Sequence, residues 1–67
     1  MKYNVILKKG AKEVLNIWVS AFVAAQNTVI SHLAADRKRN EATIIDAGSG
    51  EYRHYFFIGD KLNISII

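Results

Sequence analysis

Polar and apolar positions alternate at the start of the chain. Tyr3, Val5 and Leu7 fall on one side of an extended backbone, and Asn4 and Lys8 fall on the other. Alternation of this kind, with β-branched and aromatic residues, is typical of a strand with one buried face. We therefore predict a strand over residues 2–8, which Gly10 ends.

The pattern changes in the middle of the chain, where no charged residue occurs between Val14 and Ala35. Plotted at about 100° per residue, the apolar residues of this uncharged segment form a stripe opposite asparagines and serines. The stripe consists of Leu15, Trp18, Phe22, Ala25, Val29 and Leu33. We expect a core-facing helix from about Ala11 to about Arg39, which would be about 43 Å long.

The uncharged segment is long enough to cross a bilayer, which takes about twenty apolar residues. However, Gln26 and Asn27 would lie at the bilayer centre, where the amides of a lone helix have no partners. The segment also starts too late for a signal peptide and lacks a cleavage pattern. We therefore expect a soluble protein, and the absence of cysteine suits a cytoplasmic location.

Three further strands are predicted in the C-terminal half, joined by short glycine-containing turns that indicate hairpins. They cover residues 41–47, 51–58 and 61–67. The predicted fold is α+β in the order β-α-β-β-β, with one long helix on a four-stranded, mainly antiparallel sheet. It forms a single domain over residues 1–67. A seven-residue strand is about 23 Å long, so the helix should bend or project beyond the sheet.

Within the uncharged segment, the side of the predicted helix that faces away from the core carries neither Lys nor Glu, which is unusual for an exposed helix. A neutral and partly apolar surface of this kind indicates contact with another protein or a second copy of the chain. We therefore expect a homodimer formed through the helix. The residues expected to mediate self-association are Ile17, Val23, Asn27 and Ile30.

The net charge of +3 is concentrated in one basic cluster before the predicted helix and one after it. Such clusters attract nucleic acid or acidic protein surfaces. Alternatively, they solubilise the helix ends, and the helix dipole favours cations after its C-terminus. Basic and aromatic residues interleaved on a strand can also stack the bases of single-stranded nucleic acid. The residues expected to bind a partner are Lys8, Lys9, Lys12, Arg37, Lys38, Arg39, Arg53 and Tyr55.

Catalytic and metal-binding constellations are not apparent in the sequence. His32 and His54 are isolated, whereas zinc takes three or four ligands with recognisable spacing. Ser31 and His32 would point about 100° apart on a helix, which is poor geometry for a nucleophile and its base. The acidic residues are not paired as a general acid and base. We therefore expect no enzymatic activity, cofactor or metal.

The residues from Ile44 to Gly50, Ile-Ile-Asp-Ala-Gly-Ser-Gly, followed by Arg53, resemble the phosphate-binding hairpin of the apyrase and actin-like ATPase superfamily. In that family, backbone amides of the hairpin hold nucleotide phosphates between two large domains, for which this chain has no room. The same residues are also typical of any tight hairpin. The resemblance leaves two hypotheses, a weak anion site or an enzyme that acts on a phosphorylated small molecule through Asp46.

The size of the chain, its single Ala-rich helix and the meander from Glu41 onward resemble small phage-encoded proteins that block host defence, including some anti-CRISPR proteins. The helix alanines are Ala21, Ala24, Ala25, Ala34 and Ala35. The resemblance is architectural and transfers no functional residue. It implies a non-enzymatic protein that masks or inhibits a larger macromolecular partner, in the host cytoplasm if it is phage-encoded. The alternative is a small basic nucleic-acid-binding module, whose affinity should fall steeply with salt.

Overall fold

One helix packs on one face of a five-stranded antiparallel sheet in the part of the protein that the structure describes, residues 2–67. The structure is a computed structural model. The elements are β1 (Tyr3–Lys9), β2 (Lys12–Val19), α1 (Phe22–Ala35), β3 (Asn40–Asp46), β4 (Tyr52–Ile58) and β5 (Lys61–Ile66). The strand order is β2-β1-β3-β4-β5, and all neighbours are antiparallel. The α+β class and the C-terminal meander are therefore confirmed.

The predicted β-α-β-β-β order is wrong in its first half, because an additional strand precedes the helix. β2 pairs with β1 as a hairpin and contains the β-branched residues Val14, Ile17 and Val19, which favour extended backbone. Gly10 forms the hairpin turn with a φ of +64°, a conformation that costs glycine little. Among the described residues the sheet thus has five strands instead of four.

The shorter helix removes the expected mismatch in length. The 14 residues of α1 extend about 21 Å, which is close to the length of a seven-residue strand. Ala25, Val29 and Leu33 of the predicted stripe are buried on α1, whereas Leu15 and Trp18 lie on β2. None of the helical segments within residues 2–67 combines the length and the hydrophobicity that a membrane crossing requires.

The core lies between α1 and the neighbouring strands β1 and β3. Residues that pair directly across a sheet share a face, so Val5, Ile17 and Ile44 all point toward the helix. The buried apolar residues are Val5, Leu7, Ala25, Val29, Leu33, Ala42, Ile44 and Tyr55. Because α1 packs chiefly on β3 and β1, the part of this face formed by β4 and β5 extends beyond the helix.

Two side-chain hydrogen bonds tie the end of α1 to the sheet. Asn40 is buried, and its Nδ2 donates to the carbonyl oxygen of His32 at 2.7 Å. This bond satisfies one of the carbonyls that the last helical turn leaves without an internal partner. The Nε2 atom of His32 lies 2.8 Å from the carbonyl oxygen of Lys8 in β1. His32 therefore joins the helix to β1 near the end of that strand.

Candidate binding surfaces

The two basic clusters, expected at opposite ends of a long helix, lie together at one end of the sheet. Lys9 at the end of β1 pairs with Lys12 at the start of β2 and with Asn40 at the start of β3. The amide of Gly10 donates to the carbonyl oxygen of Arg39 at 2.6 Å, so the β1–β2 turn contacts the α1–β3 loop. The β4–β5 turn lies at the same end, because β4 runs antiparallel to β3.

This end of the molecule, which we call the basic end, carries the entire net charge of the chain. Its exposed cations are Lys8, Lys9, Lys12, Arg37, Lys38, Arg39 and Lys61. Its carboxylates are Glu13, Asp36, Glu41 and Asp60. Seven cations and four carboxylates leave a charge of +3, and the two cations and two carboxylates at the other end cancel. A positive field at one end attracts anionic surfaces in a fixed orientation.

Arg53 and Tyr55 do not join the basic end. Arg53 lies near the opposite end, where its Nε is 2.6 Å from Oε1 of Glu51 and its guanidinium stacks 4.8 Å from the centre of the Phe22 ring. The hydrogen bond to Glu51 raises the pKa of Arg53 above its usual value. Tyr55 is 1% exposed and belongs to the core, so the prediction that it offers a contact surface is wrong.

The face of the sheet opposite α1 carries aromatic side chains with no described element packed over it. We call it the open face. Trp18 on β2 and Tyr52, His54 and Phe56 on β4 point to this side, because they alternate with residues that point toward the helix. Trp18 is 50% exposed and Tyr52 is 37% exposed. The ring centroids of His54 and Phe56 lie 5.2 Å apart. The open face is thus an aromatic platform.

The centre of the open face is uncharged, and on it the apolar side chains of Ile6 and Ile45 alternate with polar ones. Asn4 is buried, and its Nδ2 donates to Oδ1 of Asn16 at 2.7 Å and to the carbonyl oxygen of Ile17 at 3.0 Å. Thr43 is buried on the neighbouring strand. The charged strand residues on this face all lie toward the basic end, and they are Lys8, Glu13, Glu41 and Lys61. The open face therefore changes from neutral to charged along the strands.

The turn between β3 and β4 directs its amides to acceptors within the chain, whereas a weak anion site, one of the two hypotheses for this turn, would need those amides free. Oδ1 of Asp46 accepts hydrogen bonds from the amides of Gly48 at 2.8 Å and Ser49 at 3.3 Å. The amide of Gly50 donates to the carbonyl oxygen of Asp46 at 2.7 Å. Partial burial acts to raise the pKa of Asp46, but the two amides and the charge of Lys2 outweigh it and hold the pKa below its usual value.

The cavity beside the β3–β4 turn measures about 120 Å³, which is below the roughly 300–1,000 Å³ of typical ligand pockets. The larger recess, an open cleft at the basic end, measures about 600 Å³. This cleft is lined by both signs of charge, with Nη1 of Arg37 3.5 Å from Oδ1 of Asp60. Across residues 2–67, no three side chains of His, Asp or Glu are grouped as metal ligands.

Three of the four residues expected to mediate self-association lie on the surface of the helix. Val23 is 69% exposed, Ile30 is 48% exposed, and Asn27 is also exposed. Ile17 instead lies on β2 and packs against the core, so it is not part of the helix surface. Self-association through the remaining helix residues stays a prediction.

Sequence reasoning missed Trp18 as a surface residue, because the helical stripe placed it in the core. The alternation of Leu15, Ile17 and Val19 with Asn16 and Trp18 was the signal that could have placed it on a strand.

Comparison of the chain with models of protein families, with curated proteins and with solved structures finds no match.

Proposed function

We propose that this protein is a small non-enzymatic binding protein that masks or inhibits a larger macromolecular partner with an acidic surface. The observation that carries the proposal is the open face, which exposes aromatic side chains and changes from neutral to charged toward the basic end. Tyr and Trp supply much of the energy of protein interfaces because they bury large areas with few rotatable bonds. Trp18 and Tyr52 are exposed in this position.

Dimensions support a contact that combines both surfaces. The five strands span roughly 19 Å between β2 and β5, and each strand is about 23 Å long. The open face therefore offers roughly 450 Å², whereas a stable protein interface takes about 800 Å² from each partner. Residues of the basic end would have to supply the remainder. Their charge would steer association and fix the orientation of the partner.

Masking suits the size of the molecule, which measures 32 by 21 by 20 Å and can cover one patch of a larger surface. The architectural likeness to small phage-encoded inhibitors supports a host-defence complex as the partner class to test first. Complexes that bind nucleic acid hold it in positively charged channels, so a basic protein is attracted to acidic surfaces outside those channels. An acidic surface beside such a channel is therefore the expected target.

Affinity capture from a bacterial lysate, followed by mass spectrometry, tests the proposal. The double variant Trp18→Ala, Tyr52→Ala should lose the proteins that the wild type retains. Val23→Ala, which also removes an exposed apolar side chain but lies on α1, should keep them. Equal capture by all three proteins would contradict a role for the open face. Purified defence complexes that are captured should then lose activity in proportion to added protein.

A second candidate is a nucleic-acid-binding module, which is favoured by the convergence of both basic clusters beside the neighbouring rings of His54 and Phe56. Fluorescence anisotropy with a labelled single-stranded oligonucleotide would test it at about 50 and 200 mM salt. Binding through about four phosphates should give a slope near −3 for log K against log salt. Replacing Lys12 and Arg39 by Ala should reduce that slope. Absence of binding at the lower salt concentration would eliminate this candidate.

A further inference from the structure

The two edge strands of the sheet differ in how well they are protected against pairing with another chain. β2 carries Lys12 and Glu13, and Val14 has no partner in β1 because the register shifts at that point. Charges and bulges of this kind discourage edge-to-edge pairing. β5 pairs with β4 without a register shift, and Lys61 is its single charged residue. β5 is therefore an unprotected edge.

Every second residue of β5 directs its backbone N–H and C=O groups toward solvent. Tyr52 and Ile67 exchange both backbone hydrogen bonds, at 3.2 and 2.9 Å. Because hydrogen-bonded and non-bonded pairs alternate in an antiparallel ladder, Leu62, Ile64 and Ile66 direct their N–H and C=O groups away from β4. These groups form a regular row on the outer side of the sheet. A row of this kind is a template for a further strand.

The side chains of the same three residues form an apolar strip beside the helix. Leu62, Ile64 and Ile66 are 38%, 48% and 57% exposed, because they point to the helix side of the sheet but lie beyond α1. A groove between α1 and β5 continues this strip. It is lined by Ile30, Leu33, Ala34, Arg37, Phe57 and Leu62. The outer edge of the sheet thus combines unpaired backbone groups with apolar side chains.

We propose that β5 pairs antiparallel with β5 of a second copy of this chain, about a two-fold axis beside Ile64. In this register Ile64 lies opposite the partner subunit's Ile64, and Leu62 lies opposite the partner subunit's Ile66. All three outward-facing residues then exchange backbone hydrogen bonds with the partner, about six bonds in total. Apolar side chains meet across the junction on the helix side, and cross-strand pairs of this kind stabilise sheets.

The residue pattern of β5 is complementary to itself, which is why the occupant is a second copy. In the same register Asn63 lies opposite the partner subunit's Ser65, and Lys61 lies opposite the partner subunit's Ile67. No like charges face each other. The antiparallel arrangement also places the basic ends, each with a charge of +3, at opposite ends of the combined sheet. A two-fold interface of this kind is closed and does not propagate into fibres.

Dimerisation of this kind does not depend on the proposed function, but it would enlarge the binding surface. Ten strands would span roughly 43 Å between the two outer β2 strands. The two open faces would then form one continuous surface of roughly 1,000 Å², which exceeds the area that a stable interface takes from one partner. The grooves beside the two helices would lie on the other side of the sheet.

Sedimentation equilibrium at about 10 to 200 µM tests the pairing, since dimerisation depends on concentration. The wild type should approach twice the chain mass of 7.5 kDa. Ile64→Lys should remain monomeric, because its ammonium group would lie beside the same group of the partner. The matched control is Leu15→Lys, which places the same charge on the helix side of the other edge strand and should remain dimeric.

Circular dichroism checks that each variant is folded. If Ile64→Lys does not fold, a chemically synthesised protein supplies a second test. N-methylation of Ile64 removes one outward N–H without touching the bonds to β4, and it should raise the dimer dissociation constant at least about tenfold. A monomeric wild type over the whole range would overturn the proposal, as would dimers of the N-methylated protein with unchanged affinity. Dimers lost in Val23→Asp but kept in Ile64→Lys would place the interface on the helix instead.

Discussion

The two faces of the sheet are formed by the same strands, yet only one of them is covered. Tyr55 and Phe56 are neighbours in β4 and point to opposite faces. Tyr55 is 1% exposed beneath the helix, whereas Phe56 remains partly exposed on the open face. A chain with a single helix of 14 residues can cover one face of its sheet at most. The second face is therefore the place where aromatic residues are available for contact.

The two faces also differ in what holds them together. The covered face relies on apolar burial, with Val5, Val29 and Leu33 closely packed between sheet and helix. The open face holds a buried amide network around Asn4, which links β1 to β2. Truncating a buried apolar side chain lowers the free energy of unfolding by about 2–5 kcal/mol, whereas a hydrogen bond contributes about 0.5–1.5 kcal/mol. Substitutions on the two faces should therefore differ in cost.

The largest expected effect comes from truncating Tyr55 of β4, and its neighbour Phe56 on the open face provides the comparison. Tyr55→Ala should lower the free energy of unfolding by about 3–5 kcal/mol, because it leaves a cavity in the core. A domain of this size has a total stability of roughly 3–10 kcal/mol, so much of the protein could unfold. Phe56→Ala should cost clearly less, since its ring is partly exposed. Urea denaturation followed by circular dichroism measures both, and equal losses would contradict the difference between the faces.

A smaller effect is expected from the amide network of the open face. Asn4→Ala removes two hydrogen bonds and should lower the free energy of unfolding by about 1–3 kcal/mol. Asn63→Ala is the matched control, because the Asn63 amide bonds only to the carbonyl oxygen of Lys61 in its own strand. If both variants were equally stable in urea, the network would add nothing to the backbone pairing that joins β2 to β1.

The contact that secures the helix to the covered face should contribute less again. Asn40→Ala removes the bond to the carbonyl oxygen of His32 and should cost about 1 kcal/mol. The loss is limited because Oδ1 of Asn40 is buried without a partner, so its removal relieves an unfavourable burial. Asn27→Ala on the exposed side of α1 is the control. A thermal denaturation midpoint that falls equally in both variants would contradict the role of Asn40.

The covered face could largely be predicted from the sequence, because its determinants are local and periodic. The alternation of Tyr3, Val5 and Leu7 identified β1, and the glycine turns delimited β3, β4 and β5. The class of the fold follows from these elements. Ala25, Val29 and Leu33 were correctly assigned to the buried side of the helix, because their spacing follows the helical period.

The boundary between β2 and α1 could not be recognised, because Ser20 and Ala21 alone separate them and neither is a strong signal. Leu15 and Trp18 match the helical spacing of the later residues by coincidence. The unpaired Val14 further shifts the alternation near the start of β2. Prediction of the basic end depended on the same boundary. A single long helix would hold the two basic clusters apart, whereas the β1–β2 hairpin and the shorter α1 bring them together. Residues far apart in sequence meet there through strand pairing.

The smallest expected effect comes from the β3–β4 turn, which belongs to neither face. The pKa of Asp46 lies below its usual value, so its contribution to stability is present above the unfolded pKa of about 3.9 and is lost as the pH falls through the folded pKa. Asp46→Asn can still accept bonds from the amides of Gly48 and Ser49 but does not titrate. Its denaturation midpoint should therefore depend less on pH between about 5 and 2 than that of the wild type. Identical curves for Asp46→Asn and the wild type would show that the turn carboxylate adds nothing.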